Sequence, residues 1–256
     1  MMADRKPVLV FCPGAWCTPL YFEPTISILE AAGYTCVAVS LPSVGSESRS
    51  QDSPPVSTGL QADAGAVRRT LLEQLDAGHD VVLVAHSYGG IVSSEAVRGL
   101  DAASRGAGTP AVRHLVYVAA LLLDVGARVW RDGEPPDDGS YIIQGPVCWM
   151  NPEDPKAALA IARCGPEALV LLMRAVASHA WRCFAEPVTF AGWRVVGGTY
   201  VRATEDPMPD QMAGAPEGHL FGEVVEVEGD HFVFTGAAEE TAAVIRRTVE
   251  KVVRAR

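Results

Sequence analysis

One short stretch, VVLVAHSYGGIVSSEAV (residues 81–97), sets a serine where a nucleophile belongs. Five apolar residues are followed by His86, Ser87, Tyr88, Gly89 and Gly90 before apolar residues resume at helical spacing. Serine is poor in a strand interior, and adjacent glycines weaken either regular element. A sharp turn from a buried strand into a helix accounts for both. It strains Ser87, lifts its hydroxyl above the sheet's carboxyl edge and aims helix N-terminal N–H groups at whatever that hydroxyl attacks. Small residues are needed two before and two after the serine, and Ala85 and Gly89 stand there, giving A-x-S-x-G.

A serine hydroxyl is a weak nucleophile without a base and an acid to orient that base. Of six histidines, His231 in EVEGDHFVFTG follows the last expected strand and precedes the last helix, at the carboxyl edge. His79 and His114 fall at strand N-terminal ends, His219 in a loop and His179 in an expected cap, while His86 is a wall of the elbow. Asp206 in YVRATEDPMP is the expected acid, in the chain order Ser…Asp…His. Asp124, just after the 112–120 strand, is its rival, and Glu205 would point the other way along an extended segment. An acyl-transfer oxyanion needs two preset donors, expected at the amides of Tyr88 and Ala15; Pro13 has no N–H to give.

The elements that must position these groups alternate along the chain. Strands are expected at 8–12, 35–42, 80–85, 112–120, 193–204 and 222–229. Between them, Phe22, Ile26 and Leu29 share one helical face, and Leu60, Ala64, Val67, Leu71 and Leu75 share another. Residues 43–57 form a loop, 88–100 a helix, 209–213 a short helix, and 238–254 the last helix. Fully apolar strands alternating with amphipathic helices imply a mostly parallel, doubly wound α/β sheet covered on both faces. The core is expected at 1–120 and 188–256. An insertion at 121–187, with helices near 155–163 and 166–179, reads as a helical cap over a pocket. Candidate pocket residues are Gly14, Trp16, His86, Trp149, Met150, Met173, His179, Trp181, Phe184 and Phe232.

A chain of 256 residues, 48% hydrophobic, is long enough for one sizeable core. Its net charge of −10 argues against nucleic-acid or anionic-membrane partners, and no apolar run reaches the ~18 residues of a membrane span. The start, MMADRKPVLVFCPGAW, has too short an apolar run for a signal peptide. The six scattered cysteines read as free thiols without a metal site, which places the chain in the cytoplasm.

The segments VLVFCPGAW, LEAAGYTCVAVSLPSVG, VVLVAHSYGG, LVYVAALLLDVG, TYVRATEDPMP and EGDHFVFTG together resemble the α/β-hydrolases. Within them, the resemblance is to the branch of plant methylesterases, hydroxynitrile lyases and many fungal and bacterial esterases. It implies the α/β-hydrolase fold, a serine nucleophile, no cofactor, a small ester or thioester substrate, and oxyanion donors at Ala15 and Tyr88. Two departures are Pro13-Gly14, where the family usually has His-Gly, and Ala85 at the first elbow glycine. The lyases carry a threonine near the oxyanion loop and a lysine after the catalytic histidine. Gly14 and Phe232 stand at those places here, which favours the esterase side.

The resulting expectation is a serine hydrolase acting through an acyl-enzyme, with Ser87, His231 and Asp206 as its triad. The same residues also admit a carbon–carbon bond-cleaving hydrolase or lyase, or a receptor of low turnover. Nothing in the residues decides against a homodimer.

Overall fold

The structure, a computed structural model, describes residues 6–45, 58–208 and 222–254. The expected helix at 209–213, His219 and most of the 43–57 loop lie outside the described residues. Before the insertion the chain forms β1 (Val8–Cys12), α1 (Glu23–Ala31), β2 (Cys36–Ala38), α2 (Leu60–Asp76) and β3 (Val81–His86). It continues through α3 (Gly89–Ala96), α4 (Ala102–Arg105) and β4 (Val112–Val118). The insertion holds β5 (Tyr141–Gln144), β6 (Val147–Met150), α5 (Pro155–Leu159), α6 (Pro166–Ala175), β7 (His179–Ala180) and α7 (Arg182–Ala185). The chain returns with β8 (Gly198–Ala203), β9 (Glu223–Val227), α8 (Val233–Gly236) and α9 (Ala238–Arg254).

Six strands form one sheet in the order β2-β1-β3-β4-β8-β9, every pair parallel. Apolar side chains alternate across it. Val8, Val10 and Cys12 of β1 join a cluster with Leu60, Val67 and Leu71 of α2, while Leu9 and Phe11 join one with Leu29 of α1 and Ile245 of α9. Burying each such Val or Leu contributes roughly 1.5–3 kcal/mol of transfer free energy, so both faces must be covered. The chain leaves β1 toward β2, then reverses past β1 to β3. Loops therefore diverge at the carboxyl ends of β1 and β3 and leave a crevice between them.

Three expectations are corrected. The insertion is not purely helical, since β5, β6 and β7 form an antiparallel three-stranded sheet. The β-branched YIIQ and a turn at Gly145 (φ 57°) make the β5–β6 hairpin. The second insertion helix stops at Ala175, not 179, because residues 175–180 spend their backbone groups on two core loops. Thr18 donates to the Ala175 carbonyl (2.8 Å) and Ala177 to that of Trp16 (2.6 Å). Gly45 donates to the Ser178 carbonyl and Ala180 to that of Ser43, both at 2.9 Å. Likewise β8 begins at Gly198, since Gly192–Arg194 is a 3-10 turn whose Trp193 indole donates to the Leu123 carbonyl.

Candidate active site

Ser87 sits at the end of β3 with φ 51°, a left-handed conformation that costs a non-glycine residue of order 1 kcal/mol or more. Neighbouring amides fix it there: Gly90 and Leu121 both donate to the Ser87 carbonyl, at 3.0 and 2.9 Å. The two glycines are needed for close approach. A Cβ on Gly89 would stand 2.5 Å from the Cys12 carbonyl oxygen and 2.6 Å from that of Pro13, and one on Gly90 would collide with the Leu121 carbonyl. The ends of β1 and β4 thus clamp the start of α3. Trp16 (φ 61°) and Ala119 (φ 45°) are the other non-glycine residues with positive φ among those described. All three lie just past the carboxyl ends of adjacent strands, where strain is held by the surrounding structure.

His231 and Asp206 meet on the next two loops. The Nδ1 of His231 donates to Oδ2 of Asp206 at 2.8 Å, and the Met208 amide donates to Oδ1 at 2.9 Å. Burial alone would raise the Asp206 pKa, but the hydrogen bond and charge of His231 and the Met208 amide outweigh it and hold it below the ordinary value. With Nδ1 protonated toward the carboxylate, Nε2 presents a lone pair. Among the described residues neither Nε2 of His231 nor Oγ of Ser87 has a hydrogen-bond partner, and bonds of this kind tighten when substrate binds.

His86 ties the two halves together. Gly14 donates to the Tyr21 hydroxyl (3.0 Å), that hydroxyl to Nδ1 of His86 (2.8 Å), and Nε2 of His86 to the His231 carbonyl (2.8 Å). Burial first, and the neighbouring His231 second, push the His86 pKa down to about 3, so the ring is neutral and every group in the chain is satisfied. Phe232 packs edge-on against Tyr21 (5.8 Å) and His231 (5.4 Å), so the position after the histidine is apolar.

In the loop after β1 the Ala15 and Cys17 amides have no acceptor among the described residues, and Ala15 is the nearer of the two in sequence to Gly14 at the elbow. Gly14 is engaged with Tyr21, and Trp16 donates to Nδ1 of His179 at 3.0 Å. The N–H of Ala15 remains, and the Tyr88 amide, one residue past Ser87, likewise has no acceptor among the described residues. Gly14 lies against the elbow, since a Cβ there would stand 3.0 Å from both His86 Nδ1 and Ser87 Cβ. A larger side chain at this position would require His86 or Ser87 to shift.

Other expected site residues divide. Trp16 stacks on Tyr141 (5.7 Å) and tilts against Phe184 (5.2 Å), and Trp181 stacks on Trp130 (6.2 Å), so aromatic rings from the insertion meet the loop after β1. Trp149 and Met150 are half-buried on β6. Met173 is 57% exposed on α6, whose Ala168, Leu169, Leu172 and Ala175 turn inward, and it is corrected from a pocket wall to a surface residue. Asp124 is held by a two-pronged ion pair with Arg194 (2.7 and 2.8 Å). Its carboxylate is spent there rather than on His231.

His179 is also corrected. It is fully buried, and burial pushes its pKa down to about 3. Its Nε2 lies 3.0 Å from the Ser43 hydroxyl, which donates to Asp63 at 2.6 Å. Asp63 also accepts from the Ser43 amide (3.0 Å) and the Tyr88 hydroxyl (2.9 Å). Asp63, His179 and Cys183 bring metal-ligand atoms within 4.8 Å of one another, but both ring nitrogens and both carboxylate oxygens are already hydrogen-bonded. Tyr21, Ser43 and Asp63 were missed by sequence reasoning. Asp63 had a signal, being a carboxylate on the apolar face of α2 between Leu60 and Val67.

Comparison with known proteins identifies the family and the fold. The chain is 29% identical over 232 residues (88% of this chain, 90% of the other) to "Alpha/beta hydrolase nvfD" of Aspergillus novofumigatus. It is 25% identical over 214 residues (82% of each) to "Probable hydrolase R7" of a Phoma species. Its fold is shared with tomato methylketone synthase I (TM-score 0.74, 14% identity, 97% of this chain and 99% of that one). It is shared equally with polyneuridine aldehyde esterase (TM-score 0.73, 18% identity, 95% and 99%) and the pyrethroid hydrolase PytH (TM-score 0.72, 16% identity, 96% and 98%). The family model described as "Alpha/beta hydrolase family" matches residues 9–244, and the chain belongs to that family.

Proposed function

We propose that this hydrolase cleaves a small carboxylic ester or thioester through an acyl-enzyme. The observation that carries the reading is the strained Ser87 beside the Asp206–His231 pair, with the Ala15 and Tyr88 amides uncommitted. Ser87 Oγ attacks the acyl carbon while His231 Nε2 takes its proton, and the two amides hold the oxyanion. Collapse expels the alkoxide or thiolate, which leaves with the proton from Nε2. Water then repeats the sequence on the acyl-enzyme and regenerates the serine. Asp206 holds the imidazole in the required tautomer. The insertion acts as a cap whose aromatic rings form the apolar side of the pocket.

Two of the fold neighbours, polyneuridine aldehyde esterase and the pyrethroid hydrolase, bear names that agree with ester cleavage. Cyanohydrin cleavage is disfavoured, because departing cyanide needs a cation beside the base and Phe232 supplies a ring. No described helix is long and apolar enough to cross a membrane, in keeping with a small-molecule substrate met in water.

A panel of p-nitrophenyl esters of graded acyl length, a thioester, mandelonitrile and a β-keto acid tests the reading. Ester or thioester hydrolysis is expected, together with one fluorophosphonate adduct, seen by intact-protein mass spectrometry, that vanishes in Ser87→Ala. Benzaldehyde release through Ser87 with no ester hydrolysed, or equal labelling of Ser87→Ala, would overturn it.

A further inference from the structure

A second Ser/His/Asp set, remote from the nucleophile, lies wholly inside the protein. Ser43, Asp63 and His179 are each fully buried, and Tyr88 is 1% exposed. Its proton arrangement is dictated from one end. The Trp16 amide donates to Nδ1 of His179, so that nitrogen carries no proton and the neutral ring is protonated at Nε2. Nε2–H then donates to Ser43 Oγ, and the Ser43 hydroxyl turns its proton to Asp63. The Ser43 amide and the Tyr88 hydroxyl also donate to Asp63, with Cys183 Sγ at 3.7 Å. Burial raises the Asp63 pKa, and the hydrogen bonds from Ser43, Tyr88 and Cys183 offset part of that rise.

The two ends of this network are what give it meaning. One is Trp16, the residue after Ala15, and the other is the side chain of Tyr88. Both residues that flank the oxyanion site are thereby tied to one buried carboxyl group drawn from a different part of the chain. Trp16 holds a left-handed φ of 61° that its own side chain disfavours, and the His179 bond together with the Ala177 amide on its carbonyl keeps it there.

We propose that Asp63, Ser43 and His179 are positioning residues that set the spacing and direction of the Ala15 and Tyr88 amides, the two oxyanion donors of the reading above, on which this inference rests. Two preset donors stabilise charge that exists only after the serine has attacked. Loosening them therefore slows turnover without weakening substrate binding.

The test uses the full-length protein with p-nitrophenyl butyrate as substrate and trifluoroacetophenone as inhibitor. Ser87 Oγ adds to the ketone carbon, its proton passes to His231, and the ketone oxygen becomes an oxyanion held by the two amides. Acetophenone, too weakly electrophilic to form that adduct, reports ground-state binding. Ser43→Ala and Tyr88→Phe each cut one arm of the network. Each should lower kcat by about ten- to a hundredfold, less than the loss of an oxyanion donor itself. The Ki of trifluoroacetophenone should rise by a similar factor, while KM and the acetophenone Ki stay within about twofold of wild type. Ser43→Thr, which keeps the hydroxyl, should recover most of the lost kcat.

Folded variants with wild-type kcat and trifluoroacetophenone Ki would overturn the proposal, as would a rise in KM at unchanged kcat. If Ser43→Ala does not fold, Tyr88→Phe decides alone, because it leaves Asp63 with both bonds from Ser43. Absence of fluorophosphonate labelling at Ser87 in the wild-type protein would sink the hydrolase reading and this proposal together. Labelling at Ser87 with insensitive network variants would sink only the second.

Discussion

Serine, histidine and aspartate occur together twice in this protein, and the two sets differ in which atoms are left over. At the sheet's edge, His231 gives Nδ1 to Asp206 and keeps Nε2, and Ser87 keeps its hydroxyl. Beneath the loops, His179 gives Nδ1 to Trp16 and Nε2 to Ser43, and the Ser43 hydroxyl is committed to Asp63. Residue types alone would make either set a triad. Uncommitted lone pairs, and the strained turn that exposes Ser87, separate a group that can react from one that can only hold its neighbours in place.

The comparison is broken most severely by removing members of each set. Ser87→Ala and His231→Ala should each lose about 10³–10⁶-fold in kcat, as groups acting as one unit do, with urea-unfolding stability within about 1 kcal/mol of wild type. Asp206→Asn should cost at least about a hundredfold in kcat, measured on the same ester, through loss of the correct tautomer. Asp63→Ala should do the reverse on the stability axis. It strands three buried donors, the Ser43 amide and hydroxyl and the Tyr88 hydroxyl, and should lower unfolding free energy by about 3–9 kcal/mol at roughly 1–3 kcal/mol per orphaned group.

Acid sharpens the contrast further. His86 and His179 are held neutral, their folded pKa values pushed from the ordinary 6.5 to about 3 by burial. Between those values the unfolded chain binds protons that the folded one refuses, so stability is complete above about pH 6.5 and lost as pH falls toward 3. Two such groups give a limiting slope of about 2.7 kcal/mol per pH unit. Urea midpoints at pH 7, 6 and 5 should fall accordingly, and His179→Gln should show about half that dependence. The smallest effect is expected at Asp124→Asn, which loses only a half-exposed pair with Arg194 and should change kcat less than about twofold. A larger loss there than at Asp206→Asn would reassign the acid.

The legible parts of this molecule were local ones. The elbow is written in five consecutive residues, and the parallel sheet in apolar runs spaced by amphipathic helices. The Asp206–His231 pairing could be placed because both follow strands whose ends must share one edge. The buried set was out of reach, since its members are separated by 20 and 136 residues and meet only after the insertion docks. Asp63 nevertheless announced itself, standing where α2 should be apolar. The end of α6 was misjudged for a similar reason. Residues 176–179 have no strong breaker, and it is the loops after β1 and β2 that claim their backbone.

That claim sets residues 175–180 apart from the rest of the insertion. Residues 175–180 are bonded into the core by main-chain groups, whereas the β5–β6 hairpin reaches the same loop through side chains, with the Trp16 indole on the Cys148 carbonyl at 3.1 Å and its ring stacked on Tyr141. Lifting the first attachment would pull His179 off the Trp16 amide. The second contact is made by side chains, while β6 of the same hairpin also pairs with β7 through main-chain groups. Residues 175–180 thus join the loops after β1 and β2 on one side to the insertion's sheet on the other.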